Sequence, residues 1–140
     1  MLPITRNIES LLLRLLQPEE EILPARLYLP MQQGVRRMVE LSSVLYCRAQ
    51  RSYCTFHLDN GENILVSQPL KEYEPTLATS GFVRVHHSCF VNLNSIRQYN
   101  PATDNRGGGS VLLNDGTVLE VSRRKKDDLW QKLNASTTIK

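Results

Sequence analysis

Two glycine-tipped hairpins constrain this chain more than any other feature. In YCTFHLDNGENILV the pair Asn60-Gly61 separates two runs rich in β-formers, and in SVLLNDGTVLEV the pair Asp115-Gly116 does the same. Such pairs supply the positive φ values that tight turns need, so each run predicts an antiparallel hairpin. Phe56 and Leu58 share one face of their strand, and Leu119 and Val121 share one face of theirs. Both pairs read as sheet-core stripes.

Strand patterning continues on either side of these hairpins. RLYLP and VRRMVEL alternate apolar and polar residues about a turn at Gly34, and VLYCRAQ is a further strand. FVRVHHSCFVNL alternates again after an interruption. That interruption has helical spacing at Leu70, Tyr73 and Leu77, and Pro69 suits a first helical turn. Gly107, Gly108 and Gly109 predict a flexible hairpin tip. SRRKKDDLWQKL closes the fold as a helix anchored by Leu129, Trp130 and Leu133. The fold class is therefore mainly β, with short helices.

The start of the chain differs in character. Asn7 to Gln17 read as a short leucine-rich helix capped by Asn7. Pro18, Glu19, Glu20, Glu21 and Pro24 then read as a linker. The expected organisation is an N-terminal helix and Pro/Glu-rich linker over residues 1–24, one domain over 25–134, and a frayed tail over 135–140. With 140 residues, 41% of them hydrophobic, the chain can bury one ordinary core. Arg14 interrupts the apolar run Leu11 to Leu16, and no stretch approaches the length of a membrane span. A soluble, cytoplasmic protein without membrane insertion is expected.

The formal net charge is +3, which permits a polyanionic partner without demanding one. Cys47, Cys54 and Cys89 contain no CxxC pair and are odd in number, so they read as reduced, packed thiols. His57, His86 and His87 lie at spacings that match no zinc pattern, so no metal and no cofactor are expected.

Three segments carry residues suited to binding. In VSRRKKDD, Ser122 is a good N-cap, which would put Arg123, Arg124, Lys125 and Lys126 in the first helical turn. Cations there oppose the helix dipole, and Asp127 and Asp128 come too late to cap that turn. Phosphate oxygens would satisfy both the free N–H groups and the cations, whereas a solvated charged face would also explain the run. In FVRVHHSCFVN, strand alternation should send His86 and His87 to opposite faces, which argues against a two-histidine metal site. Ser88 suits phosphate or backbone bonding. In AQRSY, Gln50, Arg51 and Ser52 lie in a loop joining two strands; they form either an ordinary polar turn or a reader of base edges.

Taken in order, four pieces resemble the LytTR family of bacterial DNA-binding domains, from about Arg26 to Leu133. They are VLYCRAQRSYCTFHLDNG, ILVSQPLKEYEPTL, FVRVHHSCFVNLNSI and LNDGTVLEVSRRKKDDL. The resemblance implies an elongated fold of small antiparallel sheets and sequence-specific binding to double-stranded DNA as a transcription regulator. Loops, in place of a recognition helix, would enter successive grooves, probing direct-repeat sites with two copies on one duplex. It implies a base contact from Arg123, further contacts from Ser52 and His87, and backbone contacts or supports from His86, Ser88, Arg124 and Lys125. The family often has arginine, asparagine or glutamine where this chain has His87, and asparagine or histidine where it has Ser52. The shorter Ser52 leaves Gln50 or Arg51 as a reader of that loop. Family members often act as the output domain of a two-component response regulator, so a receiver domain or sensor partner is expected, as is a homodimer on DNA.

Two other readings compete. The leucine-rich N-terminal helix could make the chain a protein-interaction module without specific DNA binding. A hydrolase using Cys89 and a histidine rests on residue types alone, with no orienting third group, so no enzyme is expected.

Overall fold

The computed structural model describes residues 25–104 and 106–136. The helix expected over Asn7 to Gln17 and its linker lie outside the described residues. Ten strands are present among those described: β1 (Arg26–Pro30), β2 (Arg36–Glu40), β3 (Val44–Gln50), β4 (Tyr53–Leu58), β5 (Asn63–Val66), β6 (Phe82–His86), β7 (Cys89–Asn92), β8 (Ile96–Asn100), β9 (Ser110–Leu113) and β10 (Val118–Glu120). They form three antiparallel sheets: β1-β2, β5-β4-β3-β7-β6, and β10-β9-β8. The helices are α1 (Glu74–Thr79) and α2 (Lys126–Ser136). This is the mainly β architecture of small sheets that the strand patterning predicts.

The two expected hairpins share one turn geometry. Gly61 N–H donates to the Leu58 carbonyl at 3.1 Å, and Leu58 N–H donates to the Glu62 carbonyl at 2.8 Å. Gly116 N–H donates to the Leu113 carbonyl at 3.0 Å, and Leu113 N–H to the Thr117 carbonyl at 2.8 Å. Each loop therefore holds three residues, and only its glycine takes a positive φ, +89° at Gly61 and +94° at Gly116. Asn60 and Asp115 serve differently from the expected φ donors. Their side-chain oxygens accept from the N–H two residues on, at Glu62 and Thr117.

Each face of the five-stranded sheet carries its own core. Phe56, Leu58, Ile64, Val66, Phe82 and Phe90 point to one side, where Leu70, Tyr73 and Leu77 of the α1 region cover them. Leu29 and Val39 of the β1-β2 hairpin complete this core. Val83, Val85, Cys89 and Val91 point to the other side, against Val111, Leu113, Leu119, Val121 and Leu129. The alternation along β6 and β7 follows from the period-two geometry of strands buried on both faces. Burying one such large side chain is worth about 1.5–3 kcal/mol.

The ends of the chain depart from expectation in three ways. Gly107 to Gly109 are no flexible tip: Gly108 is buried, its N–H donates to the Val121 carbonyl at 3.0 Å, and its carbonyl accepts from the Tyr99 hydroxyl at 2.7 Å. Glycine is required there because another backbone passes within contact distance. In α2, Leu129 is fully buried and Leu133 packs against the second core, but Trp130 is exposed and lies beside Tyr99, ring centroids 6.3 Å apart. An indole at 129 + 1 points about 100° away from the buried stripe. The helix also runs to Ser136, two residues into the stretch expected as a tail.

Candidate nucleic-acid interface

Three connections meet at one end of the five-stranded sheet. The first joins β3 to β4. Gln50 and Tyr53 are register partners, so Arg51 and Ser52 form a two-residue turn. Both are exposed, as is Gln50. Arg51 takes φ +56°, a left-handed conformation that costs a residue with a Cβ about 1–2 kcal/mol.

The second joins β6 to β7. His86 pairs with Cys89, leaving His87 and Ser88 as the turn, after a register shift between Arg84 and His86. Because His87 has left the strand, alternation no longer separates the two histidines. Their ring centroids lie 4.3 Å apart, contrary to the expectation that they face opposite sides. His86 Nδ1 lies 3.0 Å from Ser88 Oγ, and the Ser88 N–H approaches the same nitrogen at 3.4 Å. His86 Nδ1 thus accepts from the Ser88 backbone and holds the ring over the turn. His87 is exposed.

The third is the segment from Val121 into α2. Here the helix starts at Lys126, later than the sequence suggests. Ser122 is not the N-cap: its carbonyl accepts from Lys125 N–H at 3.0 Å, closing a turn over Arg123 and Arg124. Asp127 and Asp128 consequently occupy the first helical turn, where they favour the dipole. Arg123, Arg124 and Lys125 thus precede the helix, and Lys126 opens it. Arg123 and Arg124 are exposed, and Lys125 is half-buried.

Two backbone hydrogen bonds bring the three together. Ala49 N–H donates to the Ser88 carbonyl at 2.8 Å, joining the first turn to the second. Ser122 N–H donates to the Val85 carbonyl at 2.8 Å, joining the third to the end of β6. Arg51, Arg123, Arg124, Lys125 and Lys126 form no ion pair among the described residues. The end of the sheet is therefore an exposed edge of uncompensated cations and short polar side chains, suited to an extended polyanion.

Arg84 and Glu74 also support this site, although the sequence shows Arg84 only as part of the FVRVHHSCFVNLNSI segment and assigns neither residue a role. The Arg84 guanidinium is paired with the Glu74 carboxylate of α1 and donates to the His87 carbonyl. It also lies over the Phe90 ring, 5.4 Å from the centroid. It ties the β6-β7 turn to a packed helix. The available signal was an arginine within an otherwise apolar strand, FVRV.

Other candidate chemistry disperses. Cys89 points into the second core, and burial pushes its thiol pKa up to about 11, so no thiolate is offered to His87. His57 is stacked on Tyr46 with centroids 4.1 Å apart, and its Nδ1 bonds Asn63 Oδ1 at 2.9 Å. Among the described residues no group of three His, Cys, Asp or Glu is placed to hold a metal ion. Nor is any helix among them long and apolar enough to cross a membrane.

The family profile described as LytTr DNA-binding domain matches residues 35–134. The chain belongs to this family. LytTR is a family of DNA-binding domains and not of catalysts, so DNA binding and transcription regulation are its coarse function. A solved LytTr DNA-binding domain, from a methyl-accepting/DNA response regulator of Bacillus cereus, has the same fold. Its TM-score is 0.65 at 23% identity, over 78% of this chain and 96% of that one. No curated protein matches the chain. Strand β1 lies before the matched LytTR range, yet it pairs with β2 and contributes Leu29 to the first core.

Proposed function

We propose that this LytTR domain reads specific double-stranded DNA through the three connections at one end of the five-stranded sheet. The observation that carries the reading is the pair of hydrogen bonds, Ala49 to Ser88 and Ser122 to Val85, that gathers segments distant in sequence. Arg123 reads a base edge in the major groove. Gln50, Arg51 and Ser52 enter from the first turn, and His87 lies with the second. Arg124 and Lys125 hold phosphates, while His86 and Ser88 support the turn. Two copies bind direct repeats on one duplex, and the domain serves as the output of a two-component regulator with a receiver or sensor partner. Duplexes selected from a random pool should converge on one motif, repeated in the same orientation. A pool that keeps its starting composition would overturn the reading.

Arg51 allows a test that separates fold from contact. Changing Arg51→Gly removes the left-handed penalty but adds glycine's own entropy cost of about 0.5–1 kcal/mol. Stability should stay level or rise by up to about 1 kcal/mol in urea unfolding. Affinity for the selected duplex should fall by about five- to 150-fold, the 1–3 kcal/mol of a base contact. Unchanged affinity would remove Arg51 from the contacts to bases.

Arg84→Gln breaks the tie to Glu74 and should weaken specific binding about tenfold, a loss within the range for charge-assisted hydrogen bonds. The salt slope should hold, because no phosphate contact is lost. A slope that falls by about 0.9 would instead place Arg84 on the DNA.

A further inference from the structure

Among the described residues, the outward side of the β1-β2 hairpin carries a cluster of exposed apolar side chains. Of eight exposed large apolar side chains among the described residues, five lie on this surface: Tyr28, Met31, Val35, Met38 and Leu65. Tyr28 and Met38 are register partners across the hairpin. Met31 and Val35 flank its turn, and together with Leu65 of β5 they line a groove of about 1060 Å³. Such a concentration of exposed apolar surface is a mark of an interaction site. Arg36 lines the groove, and Arg26, across from Glu40 in the register, opens β1 at the other end of the hairpin; neither arginine forms an ion pair among the described residues. Arg37, by contrast, is held by Glu62.

We propose that the chain's own segment Leu11 to Leu16 docks in this groove, with Glu19 to Glu21 against Arg26 and Arg36. Three observations select this occupant. The segment is apolar, with five leucines in six residues. The linker Pro18 to Pro24 carries three glutamates and no cation, complementary to Arg26 and Arg36. The chain also enters the fold at the hairpin itself, where Leu41 N–H donates to the Ala25 carbonyl at 2.9 Å. Seven linker residues reach about 23 Å when extended. A five-residue strand spans about 17 Å, so the leucines reach the groove beside the hairpin turn. Tethering over so short a linker raises the local concentration to the millimolar range, which favours the chain's own segment over a second copy.

The test uses the full chain without DNA, so its outcome is independent of the DNA-binding reading. Methyl resonances of Met31, Val35 and Leu65 are followed by NMR in the parent and in Leu12→Asp/Leu16→Asp. Both substitutions lie outside the described residues, and an unchanged melting temperature verifies the fold. The expected result is a shift of these three methyls with the remaining core methyls unmoved, at every protein concentration. Unmoved methyls in the leucine variant would overturn the proposal. So would shifts that appear only as concentration rises with a dimer in sedimentation, which would assign the face to a second copy.

Discussion

Replacing Arg123 with alanine is expected to lower affinity for the selected duplex by about five- to 150-fold, the 1–3 kcal/mol of one bidentate base contact. Affinity for random duplexes should fall far less, so the ratio of specific to random binding collapses. Arg124→Ala should act the other way. It should weaken both duplexes alike and lower the salt slope by about 0.9, as loss of a phosphate contact does. The contrast rests on placement. Ser122 is fixed to the Val85 carbonyl, so the residue after it leaves the sheet end from a defined point. Arg124 sits one position further round the turn closed by Lys125. Both are exposed, so neither change should alter folding. Competition binding of specific against random duplex decides the matter. Equal losses for the two duplexes in Arg123→Ala would end its assignment as the base reader.

Gly108→Ala is expected to destabilise the domain by about 2–3 kcal/mol, the upper range for overpacking. A Cβ there would lie 2.3 Å from the Ser122 carbonyl oxygen and 2.6 Å from that of Val121. Both obstacles are backbone, so no side-chain rotation relieves them. The melting temperature should fall by about 10 °C or more. Ser122 directly precedes Arg123, so DNA affinity should fall as well, even where the variant remains folded. Gly107→Ala is the matched control. Its added Cβ meets nothing nearer than 3.9 Å, and it should melt with the parent. Coincident melting of Gly108→Ala and the parent would show that the two backbones can move apart.

Strands were legible where burial and periodicity agree. VLYCRAQ is β3 residue for residue, and its apolar side chains divide between the two cores, Val44 and Cys47 to the first and Leu45 and Tyr46 to the second, with a register shift between Val44 and Tyr46. Leu70, Tyr73 and Leu77 are buried together, as helical spacing requires, although a turn of 3-10 helix over Leu70–Glu72 precedes α1. The hairpin loops were located correctly at Gly61 and Gly116, but the positive φ expected of Asn60 and Asp115 falls on the glycines alone. A three-residue loop needs one left-handed residue, and the Asn60 and Asp115 side chains brace it by accepting from the N–H two residues on. The contact between His86 and His87 follows from the two-residue turn that the pairing of His86 with Cys89 sets. The other misplaced features share one cause: Gly108 is held by Val121, and the segment leading into α2 by Val85, each a neighbour distant in sequence. Local propensity carries no information about such a neighbour.

VSRRKKDD was read as a basic first helical turn, and this is where the two levels divide. Residue order alone determined the β class, the two hairpins, the family resemblance and the residue types at the three connections. These follow from periodicity and chemistry along one strand or turn. Tertiary structure decided that Arg123, Arg124 and Lys125 precede the helix, that Asp127 and Asp128 sit at its start, and that Arg84 ties the histidine turn to α1. It also decided that the three connections converge. Convergence rests on hydrogen bonds between residues 37 to 39 positions apart, Ala49 with Ser88 and Val85 with Ser122. Such bonds exist only once the sheet has closed, because the register of β3 on β7 and the return of the chain past Gly108 place their partners.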